Sequence, residues 1–470
     1  MKPKPNTLQG ASLKKRLDWI TTIIPFICIV ILCFLFMAFP QGSTSILESV
    51  RFFLGDQLGS YYLVIGLGAL ICSFYMAFSR YGKIKLGSLE KPQYSAFQWG
   101  SMMFTAGLAA DILFYSLCEW MLYANESHIT DMGSRQDWAS TYPLFHWGPI
   151  PWSFYIILAV SFGFMIHVRK RSKQKYSEAC RPLLGKRVDG IFGKLIDLTA
   201  VFALLAGTAT TFSLATPLLS MALSRVFGIE ESNLLTISIL VVICVVYTMA
   251  VYFGMKGVAK LAASCVYLFF ALLAYFLFLG GETRYIIETG ITAIGNLTQN
   301  FIGMATWTDA MRTSSFPQSW TIFYWAYWMV WCVATPFFIG TISKGRTIRQ
   351  TVLGGYFFGL AGTFTSFIIL GNYGLGLQMH GKLDLMALYE KTGSLYEAII
   401  AVFETMPLAQ AGLVLLAVTM IAFYATSFDA LTMVASSYSY KALGADEEPD
   451  KSVKLFWAVM LMLLPIALIF

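Results

Sequence analysis

The amino-acid sequence predicts an all-α, polytopic membrane protein. Of its 470 residues, 57% are hydrophobic and only 13% are charged, roughly half the charged share of an average soluble protein. Uncharged apolar stretches recur along nearly the whole chain, and most are about 18 residues or longer, enough for a helix to cross a bilayer. We therefore expect many membrane crossings.

The membrane spans are placed where apolar runs lie between polar or basic segments. The segment at 285–305 interleaves polar and apolar residues, which is typical of an amphipathic helix lying on the surface. The segment near 395–407 contains Glu404 and ends at Pro407, so we expect a re-entrant or outer helix there. The predicted spans are residues 18–40, 58–79, 94–123, 145–168, 195–224, 232–254, 257–280, 319–342, 350–374, 408–440 and 454–470.

The distribution of basic residues predicts the orientation. With the N-terminus inside, 26 of the 33 Lys and Arg residues fall in inner segments, so the positive-inside rule predicts a cytoplasmic N-terminus in a cell membrane. The same skew accounts for the net charge of +7 without a nucleic-acid partner, and the basic run at 167–175 is expected to meet anionic lipid headgroups. The last span is still apolar at Phe470, as in a truncated chain.

Asp111 stands in the middle of a predicted span, in the stretch AGLAADILFY. A charge at that depth costs at least about 2.5–3.5 kcal/mol and usually faces a cavity or a proton path. Gly107, Ala109 and Ala110 are small, which permits close approach to a ligand or serves as a helix-packing face. Glu119 is expected nearer the outer surface, with a more ordinary role.

The span at 319–342 carries an aromatic stripe. Its spacing puts five rings on one helical face: Trp320, Tyr324, Tyr327, Trp328 and Trp331. Interface belts gather at span ends, whereas this stripe continues inward. Pro336 is expected to open the helix, and broken helices at membrane depth line cavities.

A second aromatic stretch is FHWGPIPWSFY at 145–155, with Trp147, Trp152 and Tyr155. Alone it is typical of an interface anchor. Together with the stripe it predicts an aromatic cage, because aromatic faces attract quaternary ammonium groups, which cannot donate hydrogen bonds.

Two adjacent hydroxyls, Thr426 and Ser427, lie in mid-span in FYATSFDAL. They either bind a small hard cation such as sodium or bond back to helix carbonyls. The dispersed cysteines and histidines predict no metal site, because they form no ligand cluster.

These stretches together resemble the betaine/carnitine/choline transporter family. The match is specific in FHWGPIPWSFY, in WTIFYWAYWMVW…ISKGRTIRQ and in TSFDA, and the hydropathy agrees over essentially the whole chain. The resemblance implies a LeuT-type inverted-repeat transporter fold with two extra N-terminal helices, assembled as a homotrimer. It divides the chain into a cytoplasmic tail (1–17), two peripheral helices (18–93), a first five-helix repeat (94–280), an outer connection with the amphipathic helix (281–318) and an incomplete second repeat (319–470), whose last helix is missing.

The resemblance also assigns roles to residues. It places an unwound helix at Gly107, Ala109 and Ala110. The implied substrate-binding residues are Trp147, Trp152, Tyr155, Trp325, Tyr327, Trp328 and Trp331. The implied sodium site comprises Leu108, Phe423, Thr426 and Ser427.

Some residues depart from the family pattern, among them Ala109, where sodium-coupled betaine carriers have glycine. Sodium-coupled betaine carriers have glycine where Asp111 stands, whereas proton-coupled choline carriers have aspartate there. Tyr327 replaces a more usual tryptophan and adds a hydroxyl to the aromatic ring. Ala334 replaces a common phenylalanine, which is expected to enlarge the cavity below the cage.

The sequence therefore predicts a proton-coupled symporter for choline or a betaine, with no cofactor beyond the coupling ion. Choline is a cation, and no Lys or Arg lies in the middle of a predicted span to pair with a carboxylate. The alternative is a sodium-coupled glycine betaine or carnitine carrier. A non-transporting sensor or a membrane enzyme has less support, because no nucleophile–base pair or metal cluster is evident.

Overall fold

The computed structural model describes residues 12–106, 110–171, 173–252, 255–444 and 447–467, without the side chains of 250–252, 255–259, 429, 430, 464 and 467. Within these residues the chain is helical and forms no β-strand, only isolated bridges such as Lys85 with Thr347. The predicted all-α class is confirmed.

The longer helices run in chain order as follows: α1 Trp19–Ala38, α2 Pro40–Arg51, α3 Gly59–Phe78, α4 Ala96–Ala106, α5 Ala110–Ala124, α6 Arg135–His146, α7 Pro149–Gly163, α8 Ile191–Phe227, α9 Asn233–Tyr252, α10 Met255–Leu279, α11 Thr283–Thr306, α12 Ile322–Val330, α13 Thr335–Ile342, α14 Ile348–Ser366, α15 Asn372–Met379, α16 Leu385–Thr392, α17 Leu395–Glu404, α18 Ala409–Tyr438 and α19 Lys451–Ala467. Single π-helical turns at Phe52–Gln57, Phe164–Val168, Pro317–Thr321 and Phe367–Gly371 lie beside α2, α7, α12 and α14.

Several of these helices are long and apolar enough to cross a membrane. In the described part of the chain 7 helices meet that condition, or up to 9 if each of two bent pairs counts as one span. The chain is therefore a multi-pass membrane protein, as predicted. Helix α17 has only 10 residues, about 15 Å at the α-helical rise, and is too short to cross.

Helix α11 contains the segment at 285–305, which the sequence predicts to be an amphipathic helix. One face is buried, including Ile286 and Ala293, and packs against α6 and α15. The opposite face is exposed and includes Ile287 and Ile291.

Close helix packing surrounds the centre of the bundle. Helix α7 packs against α3, α13 and α14, and α18 packs against α8, α9 and α10. At the crossing of α7 and α13, a Cβ on Gly340 would lie 2.7 Å from the Ala159 carbonyl oxygen. Only glycine lets the two backbones approach this closely.

Candidate functional site

A bend in the helix that contains Asp111 lies at the centre of the bundle. Helices α4 and α5 meet at an angle of 60°. Gly107, Leu108 and Ala109, which the family resemblance assigns to the unwound stretch and to the sodium site, lie outside the described residues. Ala110 is the first residue of α5 and is fully buried.

A second interrupted helix faces the first. Helix α12 ends at Val330, a 3₁₀ turn follows at Trp331–Val333, and α13 departs at 50°. Pro336 lies in the first turn of α13, where its missing N–H removes no hydrogen bond. The predicted helix break is present, but it lies at the turn Trp331–Val333, before the proline. Interrupted helices at membrane depth line cavities in transporters.

A cavity lies between the two interrupted helices. Most of its lining is apolar or aromatic, as in sites for small molecules. Among the residues that the structure describes, Asp111 is the only charged group in its wall. The lining residues are Thr105, Ala106, Asp111, Ile112, Trp147, Tyr155, Ala262, Tyr327, Trp328, Trp331, Ala334, Thr335, Phe338, Thr426, Ser427 and Leu431.

Asp111 is held in the cavity wall by three donors. The Tyr327 hydroxyl donates to Oδ2, the Thr211 hydroxyl lies 3.3 Å from the same oxygen, and the Ile112 backbone N–H lies 3.1 Å from Oδ1. Asp111 also stands in the first turn of α5, where the helix dipole favours a negative charge. These donors offset the cost of burying the carboxyl group, which is only 3% exposed. Thr211 has no signal in the sequence.

Five aromatic residues line the cavity and are here called the aromatic cage: Trp147, Tyr155, Tyr327, Trp328 and Trp331. The centroid of the Trp328 ring lies 4.8 Å from that of Tyr155 and 5.4 Å from that of Trp147. The Trp147 and Tyr327 centroids are 6.3 Å apart. The two aromatic stretches of the sequence thus meet around one space.

Two of the predicted binding residues lie behind the aromatic cage. Trp152 is fully buried, with its ring centroid 5.5 Å from that of Trp328, and a Cβ on Gly359 would lie 2.6 Å from the Trp152 ring. Trp325 is fully buried against Phe145, at 5.9 Å between ring centroids. Neither is among the lining residues in this conformation.

The two mid-span hydroxyls lie in the wall of the same cavity. The Thr426 hydroxyl donates to the Phe423 carbonyl oxygen at 2.9 Å, which is the back-bonding alternative, while its oxygen can still accept. Phe423 itself is buried and does not line the cavity. In the described part of the chain no group of three or more His, Cys, Asp or Glu residues lies together as metal ligands do.

Glu119, expected nearer the outer surface with an ordinary role, has more specific contacts than its sequence position indicates. Its side chain is fully buried in the protein. Its Oε2 accepts the indole N–H of Trp147 at 2.7 Å, and its Oε1 accepts the Tyr123 hydroxyl at 2.6 Å. Tyr123 also lies 2.7 Å from His146 Nδ1, and His146 Nε2 lies 2.9 Å from the Thr321 hydroxyl. The available signal was the one used for Asp111, a carboxylate in an apolar helix.

Comparisons with known proteins agree with the resemblance drawn from the motifs. A family described as "BCCT, betaine/carnitine/choline family transporter" matches residues 20–470. A carnitine transporter of Acinetobacter baumannii is 28% identical over 415 residues, which cover 87% of this chain and 74% of that protein. The glycine betaine transporter OpuD of Bacillus subtilis is 31% identical over 431 residues, which cover 90% of this chain and 82% of that protein. These relatives are transporters, not enzymes. The chain belongs to the betaine/carnitine/choline transporter family.

Proposed function

We propose that this protein is a secondary active transporter that imports a quaternary-ammonium compound, choline or a betaine, together with protons. The observation that carries the proposal is the pairing of one buried carboxyl group, Asp111, with the aromatic cage in a single cavity. The two relatives named for carnitine and glycine betaine support the substrate class.

The chemistry of the cavity favours a cation that donates no hydrogen bonds. Ring faces attract a trimethylammonium group by up to about 2 kcal/mol when it is desolvated. No Lys or Arg stands among the described lining residues to pair with a substrate carboxylate. The Trp328 indole N–H is buried and has no hydrogen-bond partner among the described residues.

Asp111 supports coupling to protons. Asp111 lines the cavity, and the two hydroxyl groups that contact its carboxyl group can donate to a carboxylate or accept from a protonated carboxyl group. A transporter that exposes this cavity alternately to the two sides would expose Asp111 with it. One proton bound outside and released inside then accompanies each substrate molecule.

The second candidate is a sodium-coupled carrier of glycine betaine or carnitine. Thr426 and Ser427 favour it, because both lie in the wall of the same cavity. Hydroxyl and carbonyl oxygens are suitable ligands for a small hard cation, and a bound sodium ion would supply the positive charge that a substrate carboxylate requires.

Transport in proteoliposomes separates the two candidates. We expect labelled choline to accumulate when a pH gradient, acid outside, is imposed in sodium-free buffer. Counterflow with unlabelled choline, glycine betaine and carnitine then ranks the substrates. Accumulation that requires sodium and ignores the pH gradient would replace the proton mechanism by the sodium mechanism.

We also infer the arrangement around this site from family membership and charge distribution. The proposed arrangement has a cytoplasmic N-terminus in the cell membrane, two peripheral helices followed by two inverted repeats, and a homotrimer. Crosslinking in native membranes and cysteine labelling from each side test these features.

A further inference from the structure

A buried hydrogen-bond chain borders the aromatic cage on the side of the predicted outer surface. It begins at the Trp147 indole and passes through Glu119, Tyr123 and His146 to the Thr321 hydroxyl. Every residue in it is at most 2% exposed. We propose that Glu119 is a positioning residue that fixes the Trp147 ring in the cage and ties it to the segment preceding α12.

The donors and acceptors of the chain form a consistent set. The Tyr123 hydroxyl donates its one proton to Glu119 Oε1, so its oxygen accepts from His146 Nδ1–H. In neutral His146 the other nitrogen, Nε2, then accepts from the Thr321 hydroxyl. Among the described residues, only Glu119 accepts a hydrogen bond from the Trp147 indole N–H.

The position of Trp147 depends on this contact. Its carbonyl oxygen is held separately by the Thr363 hydroxyl at 2.9 Å, which fixes the backbone but not the ring. The indole N–H is the one polar group that sets the direction of the ring plane. That ring packs against Trp328 at 5.4 Å and against Tyr327 at 6.3 Å between centroids, so its tilt shapes the space offered to a substrate.

Glutamine and methionine at position 119 form a matched pair of probes. The amide of Glu119→Gln can accept from Trp147 and donate to Tyr123, whose hydroxyl then donates to His146, and the chain closes in the opposite direction. The side chain of Glu119→Met has a similar length and fills the same space, but it accepts no strong hydrogen bond. The two variants therefore differ in hydrogen bonding and hardly in volume.

The experiment measures choline affinity of the full chain in detergent, and it rests on the proposed function. We expect Glu119→Gln to bind within about threefold of the parent and Glu119→Met to bind about tenfold more weakly, since a buried N–H is left unpaired. In a Trp147→Phe background, which lacks the indole N–H, Glu119→Met should weaken choline binding by a further factor of less than about three. Equal losses in both backgrounds overturn the positioning role, and so does failure of both Glu119 variants to fold, which would leave only a structural role.

A readout without substrate keeps this proposal separate from the transport proposal. The parent, Glu119→Met, Trp147→Phe and the double variant are unfolded by heat, and the coupling free energy between positions 119 and 147 is taken from this double-mutant cycle. Coupling in the apo protein with no binding of choline, glycine betaine or carnitine refutes the proposed function but retains the Glu119–Trp147 contact. Absence of coupling refutes the contact whatever the substrate.

Discussion

Trp331→Leu is the sharpest test of the aromatic cage. Trp331 lies in the cavity wall, at the turn between α12 and α13. A Cβ on Gly207 would lie 3.3 Å from its ring, so α8 presses against the ring and holds it in place. Leucine keeps an apolar side chain at this position but removes the π-face.

The expected magnitude follows from the interaction that is lost. A desolvated cation–π contact contributes up to about 2 kcal/mol, and each 1.4 kcal/mol is about tenfold in affinity. If Trp331 supplies most of one such contact, choline binding weakens by about 10- to 30-fold. A neutral isostere, 3,3-dimethylbutan-1-ol, has the same shape without the charge, so it should lose much less affinity.

The assay is isothermal titration of the purified protein with both ligands. Trp325→Leu is the matched control, because Trp325 is a tryptophan in α12, the helix that precedes Trp331, but packs against Phe145 away from the cavity. It should lower the thermal stability while the folded protein keeps its affinity for choline. The cage is refuted if Trp331→Leu changes choline affinity by less than about threefold, or if both ligands lose affinity equally.

The remaining predictions concern the coupling residue and the charged groups outside the membrane. Asp111→Gly should abolish uptake driven by a pH gradient, and uptake that still follows the gradient contradicts the coupling role. Tyr327→Phe keeps the ring but removes a donor to Asp111, so proton-driven uptake should fall about tenfold or more. Asp18→Asn should lower stability by about 1–3 kcal/mol, measured by thermal unfolding, because Asp18 pairs with Lys175 at 2.8 Å and Lys175 is nearly buried. Burial lowers the pKa of His128 to about 4, below the unfolded value of about 6.5. The folded protein therefore loses stability as the pH falls from about 6.5 toward about 4, because in that range His128 binds a proton more readily in the unfolded state. His128→Gln should flatten that decline.

The aromatic spacing located part of the cage, and Tyr324, on the predicted face of the regular helix, is buried outside the cavity lining. Tyr327, Trp328 and Trp331 share the predicted face and line the cavity. Trp320 does not, and its indole instead donates to Glu126 at 2.6 Å. A π-helical turn at Pro317–Thr321 changes the residues per turn, so spacing counted at 3.6 no longer describes one face.

Trp325 illustrates the opposite case. Its position, one residue after Tyr324, is about 100° away from the aromatic stripe on an α-helix. The spacing alone therefore left it out, and the family resemblance brought it in. In the structure it is buried against Phe145 and outside the cavity, which agrees with the helical geometry.

The sequence did not predict which side chains contact one another across the helix bundle. Nothing in one sequence pairs Glu119 with Trp147 or Thr211 with Asp111, because these contacts join segments that are 28 and 100 residues apart in the chain. The cost of a buried carboxylate predicts only that partners exist. The identity of those partners depends on tertiary packing, which periodicity does not record.

Asp111 and Tyr327 show what the packing adds to two departures that the sequence presents separately. The aspartate introduces a charge where the family's sodium-coupled betaine carriers have glycine, and the tyrosine introduces a hydroxyl where a tryptophan is more usual. The structure joins them, since the Tyr327 hydroxyl donates to the Asp111 carboxylate. A tryptophan at 327 has no hydroxyl to donate from the same position, so the carboxylate would lose its donor from the cage. The two departures are thus one chemical unit. Replacing both, Asp111→Gly with Tyr327→Trp, should therefore lower the thermal unfolding temperature less than replacing either residue alone.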